Sequence, residues 1–340
     1  MNKKKLYNVA VMGATGAVGE EMIKILEQRN FPVGELRLLA SARSLGKKYF
    51  FKGREVAVEE LKEDSFKGVE IILASAGGAI SKKFAPLAVK AGAIVIDNTS
   101  AFRMDPKVPL VIPEINPQDI QKHKGIIANP NCSTIIMLVP IYPIHKKNRI
   151  RRIIVSTYQA ASGAGAKAMK ELEDQSRDVL GGRAPKKEIF PHQIAFNLFS
   201  HNSAIKEDGY NEEEIKMVRE TQKIFHDKKI KVVPTSVRVP VFRAHSESIL
   251  LELERPANVH AVRRLLSKAP GVKVVDEPIK NYFPMPLEAT GQDDVLVGRI
   301  RKDLSSSRGL CLFVSGDQLR KGAALNAVQI AEILCGLSKS

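Results

Sequence analysis

The chain has 340 residues, 44% of them hydrophobic, enough for about two domains of ~100–200 residues each and too apolar for a disordered chain. A formal charge of +16, from 53 basic and 37 acidic residues, points to anionic partners; no tryptophan, 6% aromatics and no helix-turn-helix, RNA-recognition or zinc-finger pattern favour small anions over nucleic acid. The longest apolar run, 135–144, is far short of the ~20 residues of a membrane helix, and no export signal accompanies the Lys3-Lys4-Lys5 start, so a soluble cytoplasmic protein without a membrane partner is expected.

In chain order, residues 7–12, 36–40, 69–74, 94–97 and 126–128 are short Val/Ile/Leu-rich runs of the kind a buried parallel sheet uses, with helical periodicity over 20–28 and 82–90 between them. This βαβ alternation predicts an α/β fold that begins with a Rossmann-like, doubly wound nucleotide-binding domain. After Cys132 the pattern changes. Strand-like runs at 152–159, 231–245, 248–254, 272–275, 295–300 and 309–314, with helices at 166–180, 212–225 and 259–267, predict an α+β domain on a large, mostly antiparallel sheet. The last helical run, 322–337, is expected to return to the first domain, giving 1–131 with 321–340 as one domain and 132–320 as the other. The thiol at that boundary is expected where clefts form.

Gly13-Ala14-Thr15-Gly16-Ala17-Val18-Gly19 follows the first strand and opens the first helix, the setting of a dinucleotide fingerprint. Glycines there let the backbone approach a pyrophosphate, and the helix N-terminus faces the anion. At the end of the second strand, where NAD enzymes carry an acidic residue for the ribose hydroxyl, stand Ser41, Arg43 and Ser44. A carboxylate would repel a 2′-phosphate and these three would bind it, so NADP (as NADPH in the reductive direction) is expected over NAD.

Asn129-Pro130-Asn131-Cys132-Ser133-Thr134 places a cysteine where a strand gives way to an apolar helical run. Pro130 keeps Asn129 out of the helical region, and Asn131 is a good N-capping side chain. A free thiol has a pKa of about 8.5; a helix's first turn, with unpaired N–H groups, brings it to roughly 3.5–7.5. Cys132 is therefore expected as a nucleophile. Pro140 should kink or end the helix that follows. Cys311 and Cys335 read as core residues, and the odd number of cysteines at long spacing fits neither a disulfide framework nor a metal site.

On these motifs, together with 97–104 (Asp97-Asn98-Thr99-Ser100-Ala101-Phe102-Arg103-Met104), 158–165 (Tyr158-Gln159 through Ser162-Gly163 to Gly165), Arg238-Val239-Pro240-Val241 through His245, and Gly322-Ala323-Ala324-Leu325-Asn326, the chain resembles the aspartate-semialdehyde dehydrogenases over nearly its whole length. The resemblance implies a glyceraldehyde-3-phosphate-dehydrogenase-like two-domain fold, a homodimer, and reversible NADP-dependent reductive dephosphorylation of L-4-aspartyl phosphate to L-aspartate 4-semialdehyde, in lysine, threonine and methionine biosynthesis. It makes 132–320 the catalytic and dimerisation domain. By the same resemblance Cys132 forms an acyl-thioester, His245 is the acid/base and Gln159 orients the intermediate. Arg238 holds the substrate carboxylate and Glu213 lies near its amine, with Asn131 also in the substrate site; Arg103 and Lys216 bind phosphate. Ser162 and Gly163 lie by the cofactor, and Asn326 near the nicotinamide.

The residue types suit that chemistry. A thiolate is a strong nucleophile whose ester remains electrophilic toward hydride, and histidine supplies a pKa near 7 unperturbed. An arginine fork matches a carboxylate at two points. Against these stand ordinary structural uses: a sheet-surface salt bridge for Arg238, whose neighbourhood also carries Arg243, and an intrahelical ion pair for Glu213 and Lys216. Two other functions fit parts of the pattern, a related acyl-phosphate reductase such as one acting on N-acetyl-gamma-glutamyl phosphate, and an NADPH-binding sensor without catalysis.

Overall fold

The Val/Ile/Leu-rich runs of the first half pair as buried parallel strands. The computed structural model describes residues 5–337; residues 1–4 and 338–340, which include Lys3-Lys4 and the tips of the expected first domain, lie outside them. The described chain falls into two compact units, one running up to Pro130 and resuming at Ala323, the other spanning Asn131–Gly322.

In the first unit β1 (Tyr7–Met12), α1 (Ala17–Gln28), β2 (Val33–Ala40), β3 (Lys48–Phe51), β4 (Arg54–Glu60), β5 (Ile71–Ala74), α2 (Gly78–Lys90), β6 (Ile94–Asp97) and β7 (Ile126–Ala128) build a seven-stranded sheet of order β3-β4-β2-β1-β5-β6-β7. All neighbours are parallel except the β3–β4 hairpin at the edge. Val9 pairs with Ile71 and Val11 with Leu73. Met22, Ile25 and Leu26 of α1 and Ala327, Val328 and Ala331 of the closing helix Leu325–Leu334 bury against that face. Each fully buried Ile, Leu or Met contributes about 1.5–3 kcal/mol.

In the second unit α3 (Cys132–Lys147), β8 (Ile150–Gln159), α4 (Ala166–Leu180), β9 (Phe199–Ser200), α5 (Glu212–Ile224), β10 (Lys231–Arg238), β11 (His245–Leu253), α6 (Val259–Leu266), β12 (Val272–Val274), α7 (Pro286–Ala289), β13 (Val295–Lys302) and β14 (Gly309–Gly316) surround a seven-stranded sheet of order β12-β13-β14-β11-β8-β10-β9. It is mixed: β8–β10 and β12–β13 are parallel and the other pairings antiparallel. Val155, Thr157 and Gln159 of β8 point to the buried face, while Ile154 and Tyr158 on the other face are exposed.

Several expectations change. α3 runs through both Pro140 and Pro143 without ending. The helix is apolar all round and packs on α5, α6, β8, β11, β13 and β14, so tertiary burial outweighs the missing backbone donors. The expected strand 231–245 is two strands separated by 239–244, because Pro240 cannot donate to a ladder and Ala244 takes a left-handed φ of 72°. The closing helix starts at Leu325, after a π-type turn over Arg320–Ala324. Cys311 and Cys335 are half-buried rather than core, and none of the three cysteines is in a disulfide. Among the described residues no helix is long and apolar enough to cross a membrane.

Candidate active site

Cys132 is the first residue of α3, and Asn131 is its N-cap. Asn131 Oδ1 accepts from the N–H groups of Ser133 (3.0 Å) and Thr134 (3.3 Å), its Nδ2 donates to Glu213 Oε1 at 2.8 Å, and its own N–H donates to Glu220 Oε2 at 2.7 Å. The cap that sets the thiol's turn is thus pinned by two carboxylates of α5. Gly322 leaves room for this turn, since a β-carbon there would lie 3.1 Å from Cys132 Cβ.

Gln159 closes β8 and is buried. Its Nε2 donates to Ser133 Oγ (2.7 Å) and Glu213 Oε1 (3.1 Å), while its Oε1 is buried with no protein partner. Glu213 also pairs with Lys216 at 3.0 Å, so the intrahelical ion pair exists and is part of the constellation rather than an alternative to it. Burial pushes the Glu213 carboxyl up, but Lys216, His201 and the Asn131 hydrogen bond hold it down at about 2.

The backbone of one residue orients the next two groups. The N–H of Ala160 donates to His245 Nδ1 at 3.0 Å, and its carbonyl accepts from Arg238 Nη1 at 2.8 Å. The loop 239–244 makes this possible by folding back on the end of β8, with Ala161 N–H donating to Val241 O and Ser162 N–H to Phe242 O. Because Nδ1 accepts, the proton of neutral His245 sits on Nε2, which is buried without a protein partner. Burial first, then the charge of Arg238, pushes His245 down to about 3, so the expectation of an unperturbed pKa near 7 is wrong for this ring.

Arg238 is 3% exposed, lies over the Phe190 ring at 5.5 Å, and has a buried Nε with no protein partner. Its contacts are a carbonyl and a histidine. The salt bridge belongs instead to Arg243, whose Nε lies 2.8 Å from buried Asp317. Gly163 borders both groups: a β-carbon there would lie 3.1 Å from Arg238 Nη1 and from His245 Nε2. Ser162 Oγ, beside it, accepts from Gln318 Nε2.

In the first unit Gly13 has φ +88°, and a β-carbon on it would lie 2.5 Å from Ser75 O. Gly16 caps α1 with no side-chain hydrogen bond, leaving the N–H groups of Ala17, Val18 and their neighbours at an uncapped helix start that suits a pyrophosphate. Thr15 Oγ1 and Ser44 Oγ are 3.2 Å apart, and Ser41 and Arg43 are exposed on the turn after β2. Arg103 is buried, donating from Nε to Asn129 O and from Nη2 to Asn98 O, both at 2.9 Å. Asn326 is fully buried, its Nδ2 donating to Val111 O and Asn129 Oδ1.

The second unit therefore gathers Cys132, Asn131, Gln159, Glu213, Lys216, Arg238, His245 and Gly163 into one connected constellation. Thr15 and Ser44 meet in the first unit, where Arg103 and Asn326 each contact Asn129. Sequence reasoning missed Glu220, Ser133 and His201, whose signals are single polar residues in a helix or loop, and Ala160, whose part is played by its backbone.

The sequence pattern described as "Semialdehyde dehydrogenase, NAD binding domain" matches residues 8–123, and that described as "Semialdehyde dehydrogenase, dimerisation domain" matches 141–321. The aspartate-semialdehyde dehydrogenase of Synechocystis sp. is 58% identical over 96% of each chain. The crystal structure of aspartate semialdehyde dehydrogenase II from Vibrio cholerae complexed with ASA superposes with a TM-score of 0.95 at 48% identity, over 97% of this chain and 98% of that one. The aspartate semialdehyde dehydrogenase from Candida albicans, crystallised with NADP, gives a TM-score of 0.74 at 25% identity, over 98% and 100% of the two chains.

Proposed function

The chain belongs to the aspartate-semialdehyde dehydrogenase family, an oxidoreductase of the aspartate pathway with a nicotinamide cofactor, and from that premise we propose which of its residues bind, react and transfer protons. The observation that carries the assignment is a set of three buried polar atoms without protein partners: Arg238 Nε, a donor; Gln159 Oε1, an acceptor; and His245 Nε2, a donor in the tautomer above. They complement the carboxylate, the ammonium and the reacting carbonyl oxygen of an aspartyl group.

In the reductive direction the Cys132 thiolate, favoured by the helix N-terminus, attacks C4 of L-4-aspartyl phosphate. The S–C bond forms as the C–O bond to phosphate breaks, leaving a thioester on Cys132 and free phosphate. His245 Nε2–H hydrogen-bonds the carbonyl oxygen as negative charge develops there, and the anionic substrate lifts the imidazole pKa so that proton exchange at that atom becomes feasible near neutrality. Arg238 grips the carboxylate; Glu213, ionised, faces the ammonium, and Gln159 orients it. Lys216 takes the phosphate; the same role for Arg103 rests on its motif at 97–104.

The uncapped start of α1 and the glycine turn, Gly13 through Val18, hold the pyrophosphate of the cofactor. Arg43, with Ser41 and Ser44, reads a 2′-phosphate, and no carboxylate stands at the end of β2 to repel it, which supports NADP, as in the Candida albicans structure. Asn326 completes that set in the first unit; the cofactor role of Ser162 and Gly163 rests on their motif at 158–165. A bound nicotinamide would supply hydride to the thioester carbon, and the Cys132 sulfur would be the leaving group that frees the semialdehyde. A homodimer in the cytoplasm is the proposed assembly: the dimerisation-domain match covers 141–321, and Ile154, Tyr158 and Val233 give the outer face of the second sheet exposed apolar positions.

The test is NADPH formation from L-aspartate 4-semialdehyde with and without inorganic phosphate. Phosphate-dependent reduction of NADP is expected; activity on N-acetylglutamate semialdehyde alone, or reduction indifferent to phosphate, would overturn the reading.

A further inference from the structure

Arg238 is held on one side by the Ala160 carbonyl and on the other by a residue that no motif singled out. Its Nη2 lies 2.8 Å from His201 Nε2. A guanidinium only donates, so Nε2 is the acceptor and the proton of neutral His201 sits on Nδ1. Nδ1 is 3.1 Å from Ser203 Oγ, to which it donates in this tautomer; the Ser203 N–H, also directed at Nδ1 at 3.2 Å, would be accepted only in the other tautomer, which would set Nε2–H against the guanidinium. Ser203 Oγ in turn accepts from the Glu213 N–H at 3.1 Å and donates to Asn211 Oδ1, the N-cap of α5. The backbone of His201 is fixed as well, its N–H donating to Ser236 O of β10 at 2.8 Å, just past the pairing of Phe199 with Arg238.

We propose that His201 is a positioning residue for substrate recognition, a strut that runs from the guanidinium of Arg238 through Ser203 to the start of α5 and sets the spacing between the carboxylate site at Arg238 and the ammonium site at Glu213. This rests on the reading of those two residues as the substrate's charged partners. A neutral ring is required, since a proton on Nε2 would face the guanidinium; burial first, aided by Arg238 and Lys216 against the pull of Glu213, brings His201 down to about 4. The strut makes the enzyme selective for an aldehyde that carries an ammonium and a carboxylate on the same carbon. An aldehyde bearing the amine alone, such as 3-aminopropanal, engages only one end.

His201→Ala should raise KM for aspartate semialdehyde tenfold or more, about the effect of losing a hydrogen bond to a charged group, with kcat and the KM values for NADP and phosphate near wild type. The preference for aspartate semialdehyde over 3-aminopropanal should shrink by a similar factor. Glutamine can place an acceptor where Nε2 stands and asparagine cannot, so His201→Gln should recover part of the KM effect and His201→Asn none; this pair decides the matter if the alanine variant folds poorly. A wild-type KM in both His201→Ala and His201→Asn would overturn the proposal. So would an equal rise in all three KM values in the Gln and Asn variants alike, which would make His201 a general folding residue. Arg238→Ala separates the two levels: if it leaves KM for the semialdehyde unchanged, the reading of Arg238 itself fails. If it raises KM while His201→Ala does not, only the strut fails.

Discussion

A buried polar atom without a partner costs about 1–3 kcal/mol, and Arg238 Nε, Gln159 Oε1 and His245 Nε2 stand together at the ends of β8, β10 and β11. Substrate repays that cost; water in an unfolded chain does the same for ionisable groups, and this makes stability depend on pH. His245 and His201 are neutral in the folded chain, whereas an unfolded chain protonates both below about 6.5. The unfolded state then binds the extra protons, so stability falls as pH drops from 6.5 toward about 3 for His245 and about 4 for His201. The slope is roughly 1.4 kcal/mol per pH unit for each ring. Glu213, held at about 2, adds a loss below its ordinary 4.5. Glu247 on β11 acts oppositely: burial raises its pKa well above 4.5, so stability falls as pH rises past that value. His123 and His145, also pushed down by burial, act with these two rings on the acid side, and Asp97, pushed up by burial, acts with Glu247. Thermal melts should show Tm falling as pH drops from 6.5 toward 4.5, more steeply in Glu247→Gln; a wild-type Tm that rises as pH drops over that range would contradict this. None of these shifts is legible in the chain as written, because each follows from burial by strands distant in sequence.

At the scale of elements, α3 shows what local sequence conveys and what it does not. Its start is written in Pro130, Asn131 and the residues after Cys132, and the cap forms as those residues require. Asn131→Ala removes the acceptor for two first-turn N–H groups and a partner of Glu213. The expected loss is about 1 kcal/mol in denaturant unfolding, with slower turnover because the next residue is Cys132; an unchanged midpoint would show that the cap carries no stability. The helix's continuation through Pro140 and Pro143 was not legible, since it depends on apolar packing around the whole cylinder. The hairpin β3–β4 was missed although Lys52-Gly53, which the structure places at φ of 49° and 77°, offered a turn signal, because its strands are not Val/Ile/Leu-rich runs. By contrast α4, Ala166–Leu180, lies where its periodicity places it.

For the whole molecule, the buried parallel sheet of the first unit was legible because strands covered on both faces read as continuous apolar runs. The mixed second sheet was legible in kind but not in its parallel β8–β10 pairing, which α5 makes by crossing between Ala160 and Lys231. The motif residues of the second unit do meet, yet what unites them is the Ala160 backbone and the carboxylates of α5, neither of which has a sequence signature. The central claim is that the aspartyl group is carried on one sulfur. Enzyme mixed with L-4-aspartyl phosphate in the absence of NADPH, acid-quenched and mapped by mass spectrometry, should carry a single aspartyl adduct on the peptide containing Cys132, absent from Cys132→Ser. An adduct on Cys311 or Cys335, or turnover with no adduct on any cysteine, would contradict the account.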